Sequence, residues 1–518
     1  MAKVYSDHLF QLIKTMSKSE KRYFRLYSSR LQSSEDKKFL LLFDLIEKQT
    51  NYDEAKILKK TRIINPVQLP NLKAHLYKQL MHSLKLFTAS SSIDVQLRNH
   101  IDYTQLLYNK GLYDQAIKML DKAKKQAIEY DKSIILLDII DLEKSIISHT
   151  ISAKNDSRVN KIIEETKQVS SRIENINIFS NLLLKLNSFY VKIGFIRDGK
   201  DFKQVQEFFN SSLPPYNEKN LSFQEKLYLY NSFISYYFFI QDFEKGYKYA
   251  IKYIQLFDEN PEMIIHKSEF YIKGINHLLV VTHKLYLFNE FEANYKLLMK
   301  VHNIKGLVLT ENLQMMLFRY KYMHKINHYY MIGDFTGGSK IISVVENELD
   351  RFALRMDKHD VLVFYYKVAC LYFGASNFKK ALIWLNKIIN SKDVDLREDI
   401  LSFARILSLI CHFELKNIEL VEYHIKSTYR FLLKKQGLYK YFIYIIDFMK
   451  NLDKNMQGKK LIRHFEDLKE KLTKLENQKY ERRPFLYFDI ISWLESRIEN
   501  KAVEDIIHTK AMRRIKNK

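Results

Sequence analysis

Apolar residues return along this chain every three or four positions, in short runs that restart at regular intervals. From Phe378 they fall at Ala381, Leu385 and Ile388, and from Phe335 at Gly338, Ile342 and Val345. Tyr113 leads in the same way to Ala116, Leu120 and Ala123, and Phe291 to Tyr295, Leu298 and Val301. This spacing marks one stripe of a 3.6-residue helix. A second, tyrosine-rich helix precedes each run, as in "YKYMHKINHYYM" and "VFYYKVACLYF". Phe335 and Phe378 are expected to be buried between the paired helices.

The turns between the paired helices repeat as well. In "GLYDQA", Gly111 is followed two positions later by Tyr113 and five positions later by Ala116. Similar offsets place turns near 111, 155, 200, 241, 289, 333, 376 and 416, spaced by 40 to 48 residues. A helix pair that cannot bury its apolar stripe alone stacks on its neighbours. The pattern predicts an all-α chain, an α-solenoid of about eight helix pairs over residues 96–457. Helical caps are expected over residues 1–95 and 458–518.

"YMIGDFTGGSKII", "YFGASNFKKALIWL" and "YNKGLYDQAIKML" resemble tetratricopeptide-type (TPR-like) repeats. In that family a small residue ends the first helix, an aromatic starts the second, and a small residue sits at the helix crossing. The resemblance covers roughly residues 95–435. The period here exceeds the usual repeat of about 34 residues, and most of the family's proline and tryptophan markers are missing.

The ends of the chain do not follow the repeat. "SKSE" at 17–20 has the form of a capping box, and further helices follow through "LKAHLYKQLMHSLKLF". This region reads as a helical cap, or alternatively as a helix-turn-helix unit presenting Lys73, His75, Lys78, His82 and Lys85 to phosphates. Near the C-terminus, Leu461, Phe465, Leu468, Leu472 and Leu475 alternate in steps of four and three. So short a seam fits a capping helix better than a coiled coil. The basic tail "TKAMRRIKNK" is expected to fray.

Composition sharpens this picture. Only twelve Gly and six Pro among 518 residues leave little material for sheets or long loops. A hydrophobic content of 47% supplies an ample core. The net charge of +24 raises nucleic acid as a partner, but the charge is dispersed and Lys far outnumbers Arg. Lysine is the weaker choice for bidentate phosphate contacts. The two cysteines, Cys370 and Cys411, fit no metal-binding spacing and point to a reducing compartment. The most apolar runs, "LLVVTHKLYLF" and "VLVFYYKVACLYFGA", are interrupted by His283–Lys284 and by Lys367. They fall short of a membrane span, so no membrane partner and a cytoplasmic location are expected.

Chemistry was sought in the motifs. "IGDFTGGSK" at 332–340 imitates a phosphate-binding loop, but Ser339 and Lys340 stand in reversed order and the preceding segment is helical. Gly338 instead takes the crossing position that Ala116 and Ala381 hold elsewhere. His324 and His328 are four apart on one helix and could share a metal, yet no third ligand is placed. No catalytic motif, metal site or cofactor site emerges, and the chain is read as a non-enzyme.

The resemblance implies a scaffold that binds a protein or peptide along the concave face of a superhelix, lined by the first helix of each pair. Counting back from the turns, the family's groove positions fall on Tyr228, Asn231, Asn276, His283, Tyr286, Tyr320, Asn327, Tyr330 and Tyr366. Asn can pair with both groups of a peptide backbone, and Tyr adds rigid apolar area with a polar tip. The alternative is a nucleic-acid-associated regulator, with DNA bound by the first ninety-odd residues and the repeats sensing or dimerising.

Overall fold

The computed structural model describes residues 8–29, 34–61, 63–89, 92–149, 156–193, 195–196, 198–352, 356–391, 398–434, 440–452, 458–478, 481 and 483–516. Among these residues every regular element is helical. The chain forms two compact units, residues 1–171 and 172–518, divided inside one long helix.

The first unit begins with α1 (His8–Thr15), α2 (Lys18–Ser28), α3 (Ser34–Glu47), α4 (Glu54–Lys60) and α5 (Leu69–Thr88). The predicted capping box starts α2: Ser17 accepts from the Glu20 amide and Glu20 accepts from the Ser17 amide. These helices close on Ile13, Phe24, Phe39, Phe43, Leu76 and Leu80. Then come α6 (Ile93–Asn109), α7 (Tyr113–Glu129), α8 (Ser133–His149) and the dividing helix α9 (Asp156–Ile193).

The second unit continues with α10 (Gly199–Ser212), α11 (Phe223–Phe239), α12 (Phe243–Asp258), α13 (Met263–His266), α14 (Ser268–Lys284) and α15 (Phe288–Lys300). Next are α16 (Glu311–Ile332), α17 (Phe335–Ser339), α18 (Ile342–Phe352), α19 (Lys358–Gly374) and α20 (Phe378–Ile389). It ends with α21 (Glu398–Glu414), α22 (Ile418–Lys434), α23 (Lys440–Lys450), α24 (Gly458–Glu476), α25 (Ile490–Glu499) and α26 (Val503–Lys516).

One turn joins the helices of six pairs: α6/α7, α11/α12, α14/α15, α16/α17, α19/α20 and α21/α22. At each turn one residue adopts the left-handed conformation: Gly111, Gln241, Tyr286, Gly333, Ser376 and Lys416, with φ from 54° to 73°. The next amide reaches back to the carbonyl five residues earlier, at 2.8–3.1 Å in all six (Leu112 to Leu107, Asn377 to Tyr372). This is a Schellman closure, which satisfies carbonyls the first helix leaves unpaired. Asp242, Asp334 and Asn377 then cap the second helix by accepting from its third amide. The identical geometry explains why the offsets of two and five recur in the sequence.

Two predicted turns need correction. Asn289 lies within α15, and the left-handed residue is Tyr286, from which Phe288 and Phe291 take up the offsets. Both aromatics suit the pattern, which allowed a slip of three. Lys200 lies within α10, because Asp198 caps that helix by accepting from the Asp201 amide. The turn predicted at Asn155 falls outside the described residues. Against the expectation of fraying, the described part of the basic tail is helical, since α26 continues to Lys516.

From α19 to α26 each helix packs on the next, as do α11 on α12, α14 on α15 and α15 on α16, and first helices also meet across pairs: α14 with α16, α16 with α19, α19 with α21. Phe335 is 6% exposed, whereas Phe378 is only partly buried, against Phe373. A Cβ on Gly338 would stand 2.8 Å from the Leu371 side chain and 2.9 Å from the Tyr329 ring. The glycine of the apparent phosphate loop is therefore where α17 crosses its neighbours. In α24, Phe465, Leu468, Leu472 and Leu475 are buried within the unit and Leu461 packs beside them, so the seam is intramolecular.

Candidate functional site

Seven of the nine groove positions converge: Asn276, His283, Tyr286, Tyr320, Asn327, Tyr330 and Tyr366 line one cavity of about 470 Å³ in the second unit. Helices α14, α16 and α19 bring them together. The other two positions lie elsewhere. Tyr228 sets its ring edge-on to Phe270, and Asn231 is buried within α11 at 7% exposure.

A polar chain crosses the wall of the cavity. Lys367 Nζ donates to Asn327 Oδ1 at 2.6 Å, and the Asn327 amide donates to His324 Nδ1 at 3.2 Å. His324 Nε2 then donates to Asn276 Oδ1 at 2.8 Å. With the amides oriented this way, His324 must be neutral with its proton on Nε2. Burial, helped by the nearby Lys367 and Arg319 charges, pushes its pKa down to about 3. His328 turns away to Glu292 at 2.6 Å, so the two histidines do not share a ligand. Among the described residues no group of three or more His, Cys, Asp or Glu is placed to hold a metal ion.

The cavity also holds two lysines that the groove positions omit. Lys284 ends α14 and Lys367 lies mid-way along α19. Burial pushes Lys284 down to about 7, with the Lys367 charge adding to the effect, and Lys367 down to about 8. Their visible signal in the sequence was the single cation inside an otherwise apolar run. The other cations of the wall are compensated: Arg319 pairs with Asp360, Lys510 reaches Glu495 at 2.5 Å, and Arg514 lies over the Tyr286 ring at 4.5 Å.

The chain's own C-terminal segment covers this site. Leu486 accepts at its carbonyl from Lys284 Nζ at 3.3 Å, and Phe488 meets Phe373 edge-on at 5.0 Å. From α26, His508 Nδ1 lies 2.8 Å from the Ile332 carbonyl, while Glu504 accepts from the Thr336 amide at 2.8 Å and from its hydroxyl. Sequence reasoning missed this cover because it closes over some 170–200 residues of chain, beyond the reach of any local pattern.

In α5 of the first unit the five basic positions divide. Lys73 turns to the Tyr52 hydroxyl at 2.9 Å and to Glu54, and His75 packs on the Phe39 ring. Lys78, His82 and Lys85 stay exposed. Three exposed basic side chains on one helix make a smaller phosphate-facing set than the five in the sequence pattern.

Among the described residues no helix is long and apolar enough to cross a membrane. No family model matches the chain, and no curated protein or solved structure shows significant similarity to it.

Proposed function

We propose that this protein is a non-enzymatic scaffold that binds a protein or peptide along the face formed by α14, α16 and α19. In this reading the helix pairs stack as a TPR-like superhelix and the first helices supply its concave wall. Helix pairs stacked in series create such extended surfaces. The step from architecture to binding is by analogy with other repeat proteins.

The observation that carries the reading is the segment 483–516. It is a length of polypeptide lying on that face through the contacts a bound peptide would make. Lys284 of α14 takes a backbone carbonyl, the Ile332 carbonyl of α16 takes the His508 ring nitrogen, and Phe373 of α19 takes an aromatic ring. A face that accommodates the chain's own segment has the chemistry to accommodate another.

The test is capture of partners from the native cell by the full chain, followed by hydrogen-exchange mapping on each purified pair. Protection across α14, α16 and α19 is expected. A footprint confined to residues 1–171, or no footprint at all, refutes the assignment.

A further inference from the structure

Lys284 and Lys367 are two weakly compensated charges in the wall of this cavity. Among the described residues Lys284 makes one polar contact, a long bond of 3.3 Å to the Leu486 carbonyl. Lys367 has the Asn327 amide oxygen and the face of the Tyr330 ring, 5.3 Å away. Neither has a carboxylate partner among the described residues. The Lys367 charge is also felt at Lys284, His283 and His324, so positive potential accumulates on one side of the cavity. A buried ammonium without a counter-charge is costly. Each of the two borders space rather than packed protein.

Tyr366 also belongs to the cavity wall, with its hydroxyl enclosed rather than open to the space. Tyr366 is 5% exposed, and its hydroxyl meets no hydrogen-bonding oxygen or nitrogen, having only the Cys370 thiol beside it. A buried hydroxyl left in this way calls for a partner. The cavity is also lined by aromatic rings: Tyr190, Phe195 and Phe238 meet one another at centroid distances of 5.0–5.7 Å. The volume of about 470 Å³ suits a small organic molecule better than a bare inorganic ion.

We propose that this cavity binds a small organic anion, its carboxylate or phosphate head between Lys284 and Lys367 and its apolar body against the aromatic wall. The two ammonium groups supply the charge that the protein leaves unbalanced, and the Lys367–Asn327–His324–Asn276 chain holds one of them in position. The site goes beyond the partner-binding reading and does not depend on it. A partner footprint can be present or absent whatever the cavity holds.

The test uses the full chain with three probes that share one apolar body: 3-phenylpropionate, 2-phenylethyl phosphate and the neutral 3-phenylpropanol. Thermal unfolding and titration calorimetry are run at matched ionic strength. At least one anion is expected to stabilise the second unit and the alcohol is not; which anion does so identifies the head group. Lys284→Met or Lys367→Met should weaken binding about tenfold or more, as expected for loss of a charge-assisted contact, and the double variant should abolish it. On the wild-type chain, the active anion should slow acylation of Lys284 and Lys367 relative to surface lysines, which keeps the test independent of how the variants fold. The proposal is overturned if neither anion stabilises more than the alcohol, if the double variant still binds, or if the lysines label at an unchanged rate.

Discussion

Gly333→Ala tests whether α26 is seated against the end of α16. Gly333 has φ of 70°, where any L residue is strained by about 1–2 kcal/mol. An added Cβ would also lie 2.5 Å from the His508 nitrogen and 2.6 Å from its Cα. Those are helical backbone atoms, which cannot rotate away as a side-chain tip can. To accommodate the methyl group, α26 must retreat, weakening the His508 contact to Ile332 and the Glu504 contacts to Thr336. Overpacking of this kind costs about 1–3 kcal/mol, so the total is about 2–5 kcal/mol. Gly306→Ala is the control in the same unit. Its φ of 85° carries a similar strain, but its Cβ would meet only the tip of Ile265 at 3.2 Å. Denaturant unfolding of both variants should separate them by about 1–3 kcal/mol. Hydrogen exchange should show faster opening of α26, by about tenfold or more, in the Gly333 variant alone. Equal losses in the two variants, with α26 exchange unchanged, would refute the seating of the C-terminal helix.

Phe335→Ala should cost about 3–5 kcal/mol in urea unfolding, and Phe378→Ala clearly less, because Phe378 is only partly buried. The reverse order would contradict the packing of the paired helices. Acid should weaken the second unit through His324. Its folded pKa of about 3 lies below the ordinary value of about 6.5, so between these values the unfolded chain holds the extra proton. Stability then falls on acidification by about 1.4 kcal/mol per pH unit, or about 2 kcal/mol at pH 5. An imidazole resonance of His324 titrating near pH 6.5 would show that the ring is not held neutral.

The repeat was legible because a single backbone device produces it. Gly111 and Gly333 announce a left-handed residue by composition, and the offsets to Tyr113 and Phe335 follow from the closure they permit. Gln241, Ser376 and Lys416 adopt the same conformation without announcing it, so only the helical stripe that follows reveals them. Where two aromatics lie three apart, as Phe288 and Phe291 do, the stripe alone cannot fix the register. The seven positions that meet in the cavity were legible for a related reason. Six of them lie on a first helix, back from a turn, and Tyr286 is itself the left-handed residue of its turn. Asn231 satisfies the same count yet is buried within α11, since sequence spacing does not say where a cavity begins or ends.

Lys284 and Lys367 carry a different kind of signal. A lysine on a wet helix face usually has charged neighbours three or four positions away. In "LLVVTHKLYLF" and "VLVFYYKVACLYFGA" the positions three and four residues either side of the lysine are all apolar, so its own face of the helix offers it no charged neighbour. Such a side chain must find a carboxylate, a cavity or a ligand. The interruptions first set these runs apart from membrane spans. The fold then brings both cations, from helices more than eighty residues apart in sequence, to one cavity, where Asp360 serves Arg319 and Asp489 serves Ser492, so that among the described residues neither lysine has a carboxylate partner. Chance placement of two uncompensated charges would cost stability twice at one point. A shared anion converts the same two charges into an attraction, and this makes the cavity a binding site rather than a packing defect.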